Sequence, residues 1–218
     1  MGGPVLRKIN LVPIASAFAL LLTVGTAHAG KLATSGYFEA VQSASNVDAS
    51  QNTTTKVCWK NGSWRSEEYS VAGLRVTIKK GNVLYQYSPE QKMAMKLPVT
   101  TGVPVDRLLT ELLQPYQLGA KVGSTTVNGV RCDLRKVSVK GASKALNATA
   151  AVSTNPQFAY PMRLQIKQGS LSETIEVRAL NLSPNIRDSL FTLPQGTKII
   201  QPKKMSGKMP GRRGKAHK

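Results

Sequence analysis

The chain has 218 residues, enough for one good-sized core, and a formal net charge of +19. His28 and His217 are its only histidines, so the body between the first and last segments holds none; histidine-dependent triads, His-ligated zinc sites and metalloprotease helices are excluded. A Gly-x-Ser-x-Gly elbow, a phosphate-cradling Gly-rich loop and a dinucleotide fingerprint are also missing.

At the start of the chain Arg7 and Lys8 precede an apolar stretch from Leu11 to Val24, and Ala27-His28-Ala29 gives the small-x-small pattern that signal peptidase reads. A membrane-spanning helix needs about 20 apolar residues. The stretch therefore predicts a cleaved signal over 1–29 and an exported protein, with an uncleaved anchor as the other reading. One domain is expected over 30–200. Without Arg7, Lys8 and the seven cations of the last segment, the body keeps a net charge of about +10, which attracts anionic partners such as lipid head groups, lipopolysaccharide or nucleic acid.

From Lys56 to Leu97 apolar and polar residues alternate in short segments. Val57 and Trp59 share a face, as do Leu74, Val76 and Ile78, then Val83, Tyr85 and Tyr87, then Met93, Met95 and Leu97. Asn61-Gly62 and Lys80-Gly81-Asn82 fall at breaks, where a tight hairpin needs positive φ. An antiparallel meander with one apolar face follows, carrying Val76, Ile78, Tyr85, Met93 and Met95 together. Next, Pro104 and Asp106 open a predicted helix whose stripe of Val105, Leu108, Leu109, Leu112 and Leu113 would cover that face, and Pro115 closes it. Strands resume at Lys121 to Val127 and Gly129 to Val139 around Asn128-Gly129. The Ala/Ser/Thr/Asn-rich stretch from Gly141 to Asn155 predicts a loop, with or without a short helix. Met162, Leu164 and Ile166 and the run Leu171 to Leu182 predict a closing hairpin of the same sheet. From about Gln201 a disordered basic tail is expected, with Lys203, Lys204, Lys208, Arg212, Arg213, Lys215 and Lys218 available to an anionic membrane surface.

Cys58 and Cys132 each fall in a predicted strand. Export makes a disulfide between them possible, and two buried free thiols is the alternative. Carboxylates are scattered: Glu67 and Glu68 are strand neighbours that point to opposite faces, poor geometry for an acid/base pair. A non-enzyme without cofactor or metal is the favoured class.

The order of elements is itself informative. Gly36 to Ser43 and Thr54 to Lys60 are followed by Trp64-Arg65-Ser66-Glu67-Glu68-Tyr69, then by Val83 to Lys92, and finally by Asp188-Ser189-Leu190-Phe191-Thr192-Leu193-Pro194-Gln195-Gly196. This resembles the exported LolA/LolB-like superfamily, which includes outer-membrane lipoprotein carriers and RseB-type envelope-stress sensors. There a strand reading R-x-E precedes a hairpin reading Y-x-P-x-x-K, and the chain closes with D-S-L-F-x-x-P-x-G. The resemblance runs from about Gly36 to Ile199. It departs in two places: Gly30 to Ser35 is too short for the helix that usually precedes the first strand, and the basic tail has no counterpart in the carriers.

The resemblance implies a mainly-β (α+β) fold, a strongly curved antiparallel sheet forming an unclosed barrel with one or two covering helices. Its concave face would make an apolar cavity for the acyl chains of a lipid or lipoprotein. Candidate lipid-binding residues are then Trp59, Val76, Ile78, Tyr85, Tyr87, Met93, Met95, Leu108, Leu109, Leu112, Leu164 and Ile166, although any single one would look the same in a plain core. The expected function is lipid or lipoprotein binding in the bacterial periplasm. The alternative is an envelope sensor or protein-interaction module whose cavity is filled by its own side chains.

Overall fold

In the computed structural model, which describes residues 32–45, 47–98, 116–139 and 147–201, twelve strands form one curved, unclosed sheet. They are β1 (Ser35–Ala44), β2 (Thr53–Lys60), β3 (Ser63–Ser70), β4 (Gly73–Lys80), β5 (Val83–Ser88), β6 (Met93–Pro98), β7 (Tyr116–Val127), β8 (Val130–Val139), β9 (Asn147–Ser153), β10 (Pro161–Gln168), β11 (Leu171–Asn181) and β12 (Lys198–Ile200). Across the sheet the order is β12-β6-β5-β4-β3-β2-β1-β11-β10-β9-β8-β7, antiparallel except where β12 runs parallel to β6. The mainly-β half-barrel that the motif order implies is thus the architecture observed.

Local chemistry explains the hairpins. Asn61 and Gly62 have φ of 50° and 78°, and Asn128 and Gly129 have 47° and 78°. Positive φ at both central residues is what a two-residue type I′ turn requires, and its twist matches that of the flanking strands. Curvature appears where Asn128, in the β7–β8 turn, donates from Nδ2 to the Val177 carbonyl of β11 at 2.6 Å. On a flat sheet those strands would stand three spacings of about 4.8 Å apart, so this end of the sheet must roll over the face that carries Val177.

That inner face holds the main core. Phe38 and Ala40 of β1, Val57 and Trp59 of β2, Trp64 of β3, Met162 of β10 and Val177 of β11 pack with Val127, Cys132, Ala151 and Phe158. Leu164, Ala148, Ala150, Val152 and Val137 continue the apolar surface toward the β7 edge, joined by Ile166 and Ile175.

Two expectations need correction, and one open alternative is decided. First, the stretch read as a loop from Gly141 to Asn155 contains β9, which pairs with both β8 and β10. Its alanines have weak strand propensity, but Ala148, Ala150 and Ala151 are buried, and small side chains let flanking layers close over a central strand. Second, the apolar rows do not share one face. Val57 stands opposite Ser66, Ser66 opposite Thr77, Thr77 opposite Gln86 and Gln86 opposite Met95, whereas Cys58 leads through Arg65 and Ile78 to Tyr85. Directly paired residues project to the same side of a sheet, so Met93, Met95 and Trp59 lie on the inner face while Val76, Ile78, Tyr85 and Tyr87 lie on the outer one. Of the two readings left open for the cysteines, free thiols are found: Cys58, half-buried, and Cys132, buried, are both free. They occupy opposite faces, Cys58 against the outer cluster and Cys132 within the inner core, and no side-chain rotation joins them.

The predicted signal over 1–29, the helix bearing Leu108, Leu109 and Leu112, and the tail cations from Lys203 to Lys218 lie outside the described residues.

Candidate functional site

Aromatic stacking fills the centre of the inner face. The Trp59 ring lies 6.4 Å from that of Phe158, with 19° between their planes, and Phe38 tilts against both. Trp59 also donates its indole N–H to the Ala33 carbonyl at 2.8 Å. The ring passes directly over Gly36, where a Cβ would collide with the indole. Trp59, Phe38, Phe158, Met162 and Leu164 are each at most 2% exposed. Here the protein's own side chains occupy the concave face, and of the predicted site residues Trp59 and Leu164 are wholly buried.

Val76, Ile78 and Tyr87 are covered differently. After β11 the chain crosses back over the outer face of the meander and lays Ile186 and Phe191 on Val76, Ile78, Tyr87 and Ala94, with Leu193, Leu74 and Tyr85 at the margin. Polar clamps hold this strap: Lys60 donates from Nζ to the Ile186 carbonyl at 3.0 Å and to Asp188 at 2.9 Å, and Arg65 reaches the Leu190 carbonyl at 3.3 Å. Arg65 also binds Glu67 at 2.7 Å. The R-x-E strand and the D-S-L-F motif, separate in sequence, therefore meet as one structural clasp. In the Y-x-P-x-x-K turn Lys92 takes φ of 49° and its N–H bonds the Pro89 carbonyl. The Lys92 carbonyl then receives the N–H of Lys198, which starts β12.

Beside the clasp, the outer face of β1–β3 carries paired polar groups. Tyr37 donates to Glu39, Tyr69 donates to Glu67 at 2.7 Å, and Lys56 lies over the Tyr69 ring. Burial, then the Glu39 hydrogen bond, pushes the Tyr37 phenol up to about 12. At Glu67 burial works to raise the pKa, but the hydrogen bonds from Tyr69 and Arg65 and nearby cations outweigh it and hold the carboxyl below its ordinary range. Burial pushes the Cys58 and Cys132 thiols up. These groups are locked in their ordinary protonation states, the reverse of what a nucleophile or general base needs. Among the described residues, no group of three His, Cys, Asp or Glu is placed to hold a metal, and no helix is long and apolar enough to cross a membrane.

Open space lies at the β12 edge. A groove of about 320 Å³ runs over β3–β6, with Glu68, Arg75 and Gln86 among its polar lining residues and Leu74, Tyr87, Met93, Met95 and Ile200 among its apolar ones. Met95 is 36% exposed along it. The inner face changes character here: the aromatic layer of β1–β3 gives way to Thr77, Gln86 and two methionines, because the apolar alternation of β4 and β5 is committed to the strap. Lys79, though only 8% exposed, points its ammonium out to the Gly62 carbonyl at 2.7 Å. Of the predicted site residues this groove gathers Met93, Met95 and Tyr87. Sequence reading missed Arg75, Gln86 and Ile200, for which only the strand pairing gives a signal.

No protein-family model and no curated protein matches the chain. Among solved structures it is similar to an uncharacterized conserved protein from Thermus thermophilus, at 9% identity over 78% of this chain and 91% of that one, with a TM-score of 0.49. It is also similar to MucB in the Pseudomonas aeruginosa MucA/MucB complex, at 15% identity over 72% of this chain and 54% of that one, with a TM-score of 0.44. A third is the Mycobacterium tuberculosis lipoprotein LppX, at 14% identity over 71% of this chain and 90% of that one, with a TM-score of 0.38. The chain thus spans little more than half the length of MucB in that complex.

Proposed function

We propose that this protein is an exported, non-enzymatic binding protein that holds an acyl chain of a lipid or lipidated protein in the groove over β3–β6. The observation that carries this reading is the groove's mixed lining, in which Met93, Met95, Leu74 and Ile200 occur together with Arg75, Glu68 and Gln86. Its volume falls at the lower end of small-molecule sites, about 300–1,000 Å³. Unbranched methionine adapts to irregular apolar ligands, and a lining that mixes apolar and polar groups suits an amphiphile. The signal-like segment before Gly30 supports export, and the satisfied, unreactive carboxylates support a binding role. The self-filled aromatic centre confines binding to the rim, so a deep cavity under Trp59 is not part of the proposal.

A fluorescent fatty acid tests it. The purified protein is expected to bind the probe and to release it to unlabelled phospholipid. Met95→Asp, which sets a charge in the apolar wall at a site already partly exposed, should weaken binding about tenfold or more while leaving the fold intact. Absence of probe binding, or equal binding by M95D, would show that the groove holds no acyl chain.

A further inference from the structure

β7 ends the sheet on the side away from β12, and among the described residues nothing pairs with its far side. Its first half offers no regular register, because the pairing shifts between Leu118 and Lys121 and again between Lys121 and Gly123. From Gly123 to Val127 the pairing runs unbroken to the Asn128-Gly129 turn. Residues flanking a two-residue turn exchange both backbone bonds, and along the strands such pairs alternate with pairs that exchange none. Val127, Thr125 and Gly123 are therefore bonded to β8, whereas Thr126 and Ser124 turn their N–H and C=O outward. The Arg131 carbonyl, opposite Thr126, accordingly points the other way and accepts the N–H of Thr154 at 3.0 Å. Thr126 and Ser124 are both exposed, so their backbone groups are open to one added strand.

Charge decides the occupant. Thr126 pairs with Arg131, Ser124 with Asp133 and Lys121 with Arg135, so these side chains project to one side of the hairpin. Asp133 is the only carboxylate of β7 and β8 and already holds Lys121 at 2.7 Å and Arg135 at 3.9 Å. Arg131 is exposed beside them. Three cations sharing one carboxylate attract negative charge, and a second copy of the chain would bring the same positive excess to the same line. We propose that the free edge of β7 receives an extended acidic segment of another protein as an added strand, its carboxylates at alternate positions set against Arg131 and Lys121. This site shares no residue with the groove and does not depend on what the groove holds.

A short fluorescent peptide of alternating Glu and Val tests this at physiological salt. The full-length protein is expected to bind it about tenfold more tightly than the same peptide with Lys in place of Glu, and about tenfold more tightly than its counterpart methylated at every backbone nitrogen, which cannot donate to the edge. Thr126→Pro removes an outward N–H at an edge position where a strand tolerates proline. It should leave the melting temperature nearly unchanged and weaken peptide binding about tenfold, and Arg131→Gln should weaken it about threefold. The methylated peptide carries the test without any change to the protein. Equal binding of the methylated peptide, or equal binding by T126P, would show that the basic chain attracts acidic peptide without forming a strand and would overturn the proposal, as would no binding of the acidic peptide. Self-association of the chain that T126P abolishes would overturn it too, by giving the edge to a second copy.

Discussion

Phe191→Ala removes the largest side chain with which the strap is docked. Phe191 is 4% exposed and packs with Ile186 against Val76, Ile78, Tyr87 and Ala94. Truncating a buried phenylalanine costs about 3–5 kcal/mol, from lost transfer free energy plus the cavity left behind. That is a large part of the roughly 5–15 kcal/mol by which a domain is stable, and at about 2–4 °C per kcal/mol it lowers Tm by roughly 6–20 °C. The strap has a second route, however. It can lift off and expose Val76 and Ile78, which limits the loss to the free energy of its own docking. Urea melts distinguish the routes: a lower midpoint at unchanged slope means the strap belongs to the cooperative unit, and a shallower slope with early proteolysis between Leu182 and Lys198 means it opens by itself. Phe191→Leu should recover most of the loss in either case. A change below about 1 kcal/mol with no new protease sensitivity would refute the docking of the strap on the outer face.

Gly36→Ala places a methyl inside the volume of the Trp59 indole, which must then loosen its bond to Ala33 and its stack on Phe158; the expected cost is about 1–3 kcal/mol in a urea melt, with a red shift of tryptophan fluorescence, and wild-type behaviour would show that the ring does not lie there. Glu67 has a folded pKa held below its ordinary 4.5, so its stabilising effect is present above that value and is lost as the pH falls through the folded pKa. The stability gap between wild type and Glu67→Gln should therefore be widest near neutrality and close in acid, and a gap independent of pH would mean that Glu67 is not held as a carboxylate.

The strands were largely legible because alternation is a local signal, and the two Asn-Gly turns could be read residue by residue. Facing was harder. It depends on counting outward from each turn: with Asn61-Gly62 as a two-residue loop, Val57 must oppose Ser66, and the same count through the next three hairpins sends Met95 inward and Ile78 outward. The turn at Val71-Ala72 carried no Asn-Gly cue, which obscured the count. β9 was missed because Ala and Thr owe their strand conformation to neighbours on both sides rather than to their own preference. The motif resemblance located Asp188 to Gly196 without indicating its task, since the bonds from Lys60 and Arg65 to the strap link residues more than a hundred positions apart. Of the groove, only Met93, Met95 and Tyr87 could be anticipated, because a cleft bounded by β12 exists only after the chain has recrossed the sheet.

Apart from β12, the sheet is two meanders, β1–β6 and β7–β11, joined along a single line where Tyr37 faces Asn181 and Ala44 faces Glu173. Within each meander neighbouring strands follow one another in sequence, and hairpins close in about 1–10 μs. The joint brings together segments from opposite ends of the body, and such distant pairing places all-β folding in the range of milliseconds to seconds. Until it closes, β1 and β11 are bare edges with Phe38, Ala40 and Val177 uncovered beside them, and a bare edge pairs as readily with another copy as with its own partner. Folding yield is therefore a contest between that one intramolecular encounter and collisions between half-formed chains, and it falls as protein concentration rises.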